Sequence, residues 1–310
     1  MISRDNLSLG LAISCIALVL CIAPALLGCK KYRDDLDYSY DVVQTWELTD
    51  TFVPGDVVQF ESVFWEPDDT VSLREAIADD AICNGRSVLE IGTGTGLLSV
   101  LAATHSAKKI VATDINPAAV ANAKYNLAML AEDFKDAEVR LVKKDDSGAF
   151  AVVKPTEKFD LIISNPPWED GKVTKPSEYA FYDPDFALMD SLLDGLPKHL
   201  NPAGRCLLAY GHAPALKRVR DEVAKRGYSF KVLDDRKIDE LEENFLPGMM
   251  VEIRVPYNQT KIGAKPKEDA KPKKDAKPKK DAKPKKETER KESTASKDGT
   301  PVKETHTQSE

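Results

Sequence analysis

The segment Ser87-Val88-Leu89-Glu90-Ile91-Gly92-Thr93-Gly94-Thr95-Gly96-Leu97-Leu98-Ser99-Val100-Leu101-Ala102 permits few folds. An apolar run enters three glycines at alternate positions and leaves directly into a second apolar run, which predicts a strand, a sharp turn and the start of a helix. Glycine accepts positive φ and lets backbone approach another group closely, and the helix that follows presents unpaired N–H groups at its amino end. In an open α/β sheet such a loop at the carboxyl end of a strand is a ligand loop. The spacing here is G-x-G-x-G, whereas pyrophosphate loops read G-x-G-x-x-G, and Glu90 precedes the first glycine by two residues. A carboxylate at that place repels a pyrophosphate and suits a sulfonium or ammonium group. A dinucleotide is disfavoured.

Lys109-Ile110-Val111-Ala112-Thr113-Asp114 reads as a second strand ending in an acid, 22 residues beyond Gly92. A carboxylate there can accept both hydroxyls of a ribose. Asn116 is a candidate N-cap with Pro117 at the first helical position, and helical composition continues to Leu130. A third strand over 138–142 leads to Asp145 and Asp146, either of which could receive an adenine amino group. For these acids, as for Asp114, the alternative is an ordinary solvated loop residue.

The apolar run Phe159 to Ser164 ends in Asn165-Pro166-Pro167-Trp168. A planar amide or exocyclic amine is a poor nucleophile because its lone pair is delocalised. Two acceptors can localise that pair: the Asn165 side-chain oxygen and the Pro166 carbonyl could each take one N–H and stabilise the charge that develops on nitrogen. Consecutive prolines fix the backbone and so the direction of the carbonyls. The Trp168 ring offers a flat face for a base or an amide. Taken alone, Asn-Pro-Pro is also compatible with a simple strand-ending turn. Combined with a loop suited to the sulfonium of S-adenosylmethionine, it points to N-methyl transfer.

These residues, in this order, resemble the class I S-adenosylmethionine-dependent methyltransferases, and within them the branch with an N-P-P-[YFW] motif. That branch includes HemK-type release factor glutamine methyltransferases and the adenine-N6 and guanine-N2 methyltransferases of nucleic acids. The resemblance spans residues 68–256. It implies an α/β, Rossmann-like, doubly wound, seven-stranded sheet, mostly parallel, with an antiparallel C-terminal hairpin. It implies S-adenosyl-L-methionine as cofactor, with Glu90, Gly92, Gly94 and Gly96 lining its methionine part, Asp114 at the ribose and Asp145 or Asp146 at the adenine. It places the motif Asn165, Pro166, Pro167 and Trp168 at a protein or nucleic-acid acceptor. HemK-type enzymes carry a helical recognition domain ahead of the catalytic one, and this chain offers only the stretch 38–77 there, which weakens the assignment of a protein acceptor.

The remaining pattern agrees with that architecture. Residues 183–200 read as a helix, Leu200 to Arg205 as a tight turn, Cys206 to Tyr210 as a buried strand and Ala215 to Arg226 as an amphipathic helix, with closing strands over 228–233 and 249–255. Alternating strands and helices independently argue for helices on both faces of a sheet. Thr70 is a candidate N-cap for a helix over 71–81. Phe64 and Trp65, just ahead of it, either line the donor pocket or fill the core.

The ends of the chain differ from its middle. Leu7 to Cys29 holds no charged residue over 23 positions, enough to span a bilayer or to act as an export signal. Lys30, Lys31 and Arg33 outnumber Arg4, which favours a membrane anchor with a cytoplasmic catalytic domain. Leu26-Leu27-Gly28-Cys29 resembles a lipoprotein cleavage site, and an exported lipoprotein is the alternative. From Gly263 an Ala-Lys-Pro-Lys hexad recurs at Ala264, Ala270, Ala276 and Ala282. This stretch cannot bury a core. Residues 261–310 hold 16 of the 44 Lys/Arg and 10 of the 51 Asp/Glu, net +6, leaving 28 against 41, net −13, for the rest. The tail either contacts RNA, ribosomes or an anionic surface through its lysines, or is a solvated linker. The expected organisation is an anchor or signal over 1–29, an extension over 30–67, a methyltransferase domain over 68–258 and a disordered tail over 259–310. Cys83 and Cys206 alone lie in the domain, so no disulfide framework is implied, and the four histidines lack ligand spacing, so no metal site is expected. A tethered binding protein that kept the fold and lost turnover is the reading from another class.

Overall fold

The computed structural model describes residues 33–48, 53, 55–143, 146 and 148–256. The apolar run 7–29, Asp145 and the Lys-rich tail lie outside them. No helix among the described residues is long and apolar enough to cross a membrane.

Seven strands form one sheet: β3 (Ser87–Ile91), β4 (Lys109–Asp114), β5 (Ala137–Leu141), β6 (Phe159–Ser164), β7 (Leu200–His212), β8 (Ser229–Val232) and β9 (Asn244–Arg254). They lie in the order β5-β4-β3-β6-β7-β9-β8. The first five are parallel, and β9 inserts antiparallel between β7 and β8. The chain runs outward from β3 through β4 to β5 and then returns to β6 on the other side of β3. That reversal opens a crevice at the carboxyl ends of β3 and β6, the place where open α/β sheets take ligands.

The central strands are apolar on both sides because helices cover both faces. On β6, Leu161 and Ile163 pack with α1 (Val71–Ala78) and α2 (Leu97–Thr104), whereas Ile162 packs with α4 (Ala187–His199) and α5 (Ala213–Lys225). Leu207 and Ala209 of β7 divide in the same way from Cys206, Leu208 and Tyr210. Each such buried aliphatic side chain contributes about 1.5–3 kcal/mol. Between β4 and β5 runs α3 (Pro117–Leu130), where Asn116 accepts the Ala118 N–H at 3.1 Å with Pro117 at the first helical position, as the sequence predicts. Cys83 and Cys206 are free and buried.

The extension ahead of the domain forms a separate antiparallel pair, β1 (Val42–Trp46) and β2 (Val57–Phe60). It is held by two buried amides four residues apart on α3. Asn122 accepts the Phe60 N–H at 2.9 Å and donates to the Val58 carbonyl at 2.8 Å. Asn126 accepts the Val58 N–H at 3.1 Å and donates to the carbonyls of Val58 and Thr95, both at 2.8 Å. One helix face thus stands in for a neighbouring strand and ties the pair to the glycine turn.

Three expectations need correction. Thr70 does not cap α1: its hydroxyl donates to the Pro67 carbonyl at 3.1 Å, because residues Pro67–Thr70 already form a 3₁₀ turn leading into the helix. The helix stops at Ala78, short of Ala81, whose φ is +50°. The turn expected over Leu200 to Arg205 is an excursion within β7: Leu200 pairs with Phe159 and Arg205 with Leu161, so the extra residues loop out at Ala203, φ +64°.

Candidate active site

Hydrogen-bonded register brings the two sequence motifs together. Glu90 of β3 is paired with Ile163 of β6, and the Ser164 hydroxyl donates to the Ile91 carbonyl at 2.6 Å. Gly92 and Asn165, 73 residues apart in the chain, therefore leave adjacent strands side by side.

The glycine turn is fixed from below and from the side. Gly92, Gly94 and Gly96 have φ of +75°, +55° and +83°. The N–H groups of Gly92 and Thr93 donate to the Thr113 carbonyl at 2.9 and 3.0 Å. A Cβ on Gly96 would stand 2.7 Å from Ala123 Cα, so this glycine lets α2 and α3 close on each other. A Cβ on Gly92 or Gly94 would meet nothing within 4 Å, so the front of the turn is open for a ligand. Glu90 lies beneath, only 2% exposed, accepting hydrogen bonds from the Thr93 hydroxyl at 2.8 Å and from the Ser99 hydroxyl. Burial pushes its carboxyl up to about 7, Asp114 adds to that, and the two hydroxyls oppose it.

Asp114 ends β4, where its carboxylate accepts the Gly94 N–H at 2.9 Å and the Asn116 N–H at 2.8 Å. Burial raises its carboxyl from the ordinary value while these backbone donors lower it. Asp146 is exposed, its N–H bonded to the Lys143 carbonyl at 2.8 Å, and the structure draws it into no contact with the turn. Asp145 is outside the described residues.

On the β6 side the hydrogen bonding is incomplete. Asn165 Nδ2 donates to Asp69 Oδ2 at 3.4 Å, while Asn165 Oδ1 is buried without a partner. Asp69 is 2% exposed, its Oδ1 also lacks a partner, and burial pushes its carboxyl up to about 6. Pro166 is buried and Pro167 partly so. The Trp168 ring lies over Gly211 of β7, where a Cβ would stand 2.6 Å from Cη2, and is stacked at 11° to His212 with 6.5 Å between centroids. Part of the Trp168 surface is thereby spent on the sheet.

Aromatic residues flank this end. Phe64 meets Phe181 edge-on at 5.2 Å, and Phe181 is 52% exposed. Trp65 instead stacks on Trp46 at 5.3 Å and packs against the core, so of the two aromatics ahead of α1 only Phe64 reaches the segment after the motif. Asp69, Gly211 and Phe181 escape a reading of the sequence. The only local sign of Asp69 is its place in an acidic turn ahead of a helix, where Glu66 and Asp68 look equivalent.

The residues fit S-adenosyl-L-methionine on two grounds: an open, backbone-lined turn beside carboxylates, and a carboxylate at the end of the next strand. Among the described residues no group of three His, Cys, Asp or Glu is placed to hold a metal.

Residues 70–226, just over half of the chain, match the model of the methyltransferase small domain. The chain belongs to that family. Over 139 residues it is 38% identical to a release factor glutamine methyltransferase of Cereibacter sphaeroides, covering 41% of this chain and 47% of that protein. It is 29% identical over 187 residues to a candidate protein N5-glutamine methyltransferase of Methanocaldococcus jannaschii, covering 58% of this chain and 88% of the relative. A tRNA1(Val) (adenine(37)-N6)-methyltransferase of Bacteroides thetaiotaomicron is 38% identical over 93 residues, 29% of this chain and 36% of that one. The chain thus spans less than half the length of the first and third of these relatives.

Proposed function

We propose that this protein is an S-adenosylmethionine-dependent N-methyltransferase whose acceptor is a planar amide or amino nitrogen. One observation carries the reading: the buried, unpartnered Asn165 Oδ1 beside the open glycine turn. An acceptor oxygen left in that state costs about 1–3 kcal/mol unless a donor fills it, and an NH2 group supplies donors. The cofactor, when bound, supplies an electrophilic methyl group on a sulfonium. Glu90, the three glycines and Asp114 would hold it, and either Asp145 or Asp146, which follow β5 in the sequence, would take the adenine amino group.

Asn165 Oδ1 takes one N–H of the acceptor, and the Pro166 carbonyl takes the other. Both draw the nitrogen away from planarity and free its lone pair. The rigid prolines keep the two oxygens in place, so positioning and electrostatics supply the rate. The aromatic flank of Phe64, Phe181 and Trp168 suits a flat acceptor.

Relatives named for glutamine and for adenine leave two arms open. Full-length protein is incubated with tritiated S-adenosylmethionine and cell extract, and the product is divided between protease and nuclease. Protease-sensitive label assigns a protein amide; nuclease-sensitive label assigns a base amine. Absence of label in both, with the donor bound, overturns the macromolecular acceptor in favour of a small-molecule acceptor or of a binding protein that kept the fold. The apolar run 7–29 and the lysines after it support a further element of the proposal, a membrane anchor with the catalytic domain on the cytoplasmic side. Recovery of the full chain from the soluble fraction would remove it.

A further inference from the structure

We propose that Asp69 is a positioning residue that sets the rotation of the Asn165 amide, drawing Nδ2 inward so that Oδ1 faces the acceptor. The inference rests on the methyl-transfer reading and deepens it. An asparagine amide is nearly symmetric in shape, and turning it by half a revolution exchanges an acceptor for a donor. Only one orientation serves the chemistry. With NH2 outward, Asn165 would oppose the acceptor's own N–H groups; with oxygen outward, it accepts one. Nothing in Asn165 itself selects between them. A neighbour that accepts and cannot donate does, and an ionised carboxylate is such a neighbour.

Asp69 meets that need from an unrelated part of the chain, 96 residues before Asn165. Its Oδ2 lies 3.4 Å from Asn165 Nδ2, long for a bond to a charged group. Almost complete burial keeps water from competing for the amide. The turn that carries the carboxylate is held firmly. The Asp69 N–H donates to the Glu66 carbonyl at 3.3 Å, and buried Arg74 donates from Nη2 to the Pro67 carbonyl at 3.2 Å, closing the turn. On the other side Gly248 of β9 presses against the Asp69 backbone so tightly that a Cβ there would collide with its carbonyl oxygen. The Ser72 hydroxyl bonds the Gly248 carbonyl at 3.3 Å. The turn is therefore wedged between α1 and β9 with its acid aimed at the motif. Glu66 and Asp68, its neighbours in the same turn, are not among the buried residues.

The test is an exchange of the two groups in the full-length chain. Asp69→Asn preserves shape and removes the exclusive acceptor; kcat is expected to fall about tenfold, the scale of one hydrogen bond to a charged group, with donor KM within about twofold. Asn165→Asp sets two carboxylates against each other and is expected to lose more. The double variant Asp69→Asn/Asn165→Asp restores one amide donor and one outward oxygen, and its kcat should exceed that of Asn165→Asp by at least about tenfold, a coupling that independent sites do not show. A double variant no better than the product of the single losses, or a fully active Asp69→Asn, overturns the proposal.

A second readout does not depend on turnover. In the wild type the two side-chain N–H signals of Asn165 should be well separated, with the Asp69-bonded one protected from hydrogen exchange; Asp69→Asn should collapse both features. If the wild type methylates nothing yet shows this signature, the transfer reading fails and the anchoring stands. If it methylates and the signature is unchanged in Asp69→Asn, the anchoring fails alone.

Discussion

The two strand ends that form the site are finished to different degrees. Around the glycine turn the polar groups are partnered: Glu90 by Thr93 and Ser99, Asp114 at the end of β4 by the Gly94 and Asn116 N–H groups, and the Gly92 and Thr93 N–H groups by the Thr113 carbonyl. At the end of β6, Asn165 Oδ1 and Asp69 Oδ1 are buried and unpartnered. A turn that must be in place before a cofactor arrives gains from being fixed in advance. An acceptor pocket gains from unfilled lone pairs, because each is relieved only when a ligand brings a donor of the right geometry. On the proposed reading, the donor side is set in advance by its own hydrogen bonds, and the acceptor side is selective through what it lacks.

If the two ends are separable in this way, removing the acceptor oxygen should strike turnover and spare donor binding. Asn165→Ala is expected to lower kcat by about 10²–10³, the scale set by loss of one pre-aimed group at a reacting centre. Donor affinity by calorimetry should stay within about twofold, while thermal stability above about pH 6 should fall, since the deletion leaves the buried Asp69 carboxylate without the Asn165 Nδ2 donor. A matching loss of donor affinity would show that the ends act as one unit. On the donor side Gly96→Ala should do the opposite. Its Cβ would stand 2.7 Å from Ala123 Cα at a φ of +83°, costing about 2–4 kcal/mol through overpacking and left-handed strain. Chemical denaturation should register that loss together with weaker donor binding, and an unchanged midpoint would sink the packing argument.

Glu90 tests the finished side by pH. Its folded pKa of about 7 lies above the ordinary 4.5, so the native state keeps the proton longer than the unfolded chain does. Stability from this group is therefore complete below about 4.5 and is lost as pH rises through about 7. Glu90→Gln removes the ionisation while keeping an oxygen for the two hydroxyls. Above pH 7 the variant should gain about 2–3 kcal/mol relative to its difference at pH 4. Asp69, pushed up to about 6, contributes a decline of the same sign in both proteins, so it cancels in the comparison. Parallel stability curves for the two proteins would rule out a buried, proton-linked Glu90.

The same contrast explains what was legible in the sequence. The donor side is a local pattern: strand, glycine turn, helix, then the next strand with its acid, each part within a few residues of the last. Backbone conformation and periodicity are enough to find it, and β3, β4, β6 and the Asn116 cap fall where the pattern places them. The acceptor side was legible only in Asn165-Pro-Pro-Trp. Its other parts depend on contacts across the chain. Asp69 differs from Asp68 because Gly248, far along β9, covers it. Trp168 has a seat because residue 211 is a glycine. The β1 and β2 pair escaped notice for a similar reason: its anchoring partners are side-chain amides of a helix that begins well over fifty residues after the strand they hold, and no strand-like pattern signals that.

The smallest expected effect is the sharpest check on the division between the two ends. Asp114 belongs wholly to the donor side, since its oxygens bond Gly94 and Asn116 and nothing in the motif. Asp114→Ala should weaken donor binding by about tenfold, one lost charged contact, and leave kcat at saturating donor within about twofold, because uniform binding energy moves KM without moving the barrier. The variant also frees the Gly94 N–H, so distortion of the turn could mimic loss of a ribose contact. Asp114→Asn separates the two: its amide oxygen can still accept from Gly94, the contact to the turn, while the charge and the acceptor for the Asn116 N–H are gone. A ribose contact predicts that Asn binds the donor nearly as weakly as Ala, whereas support of the turn alone predicts affinity close to wild type. A fall in kcat matching the fall in affinity would mean that the donor side also shapes the transition state, and the line between the two strand ends would have to be redrawn through Asp114.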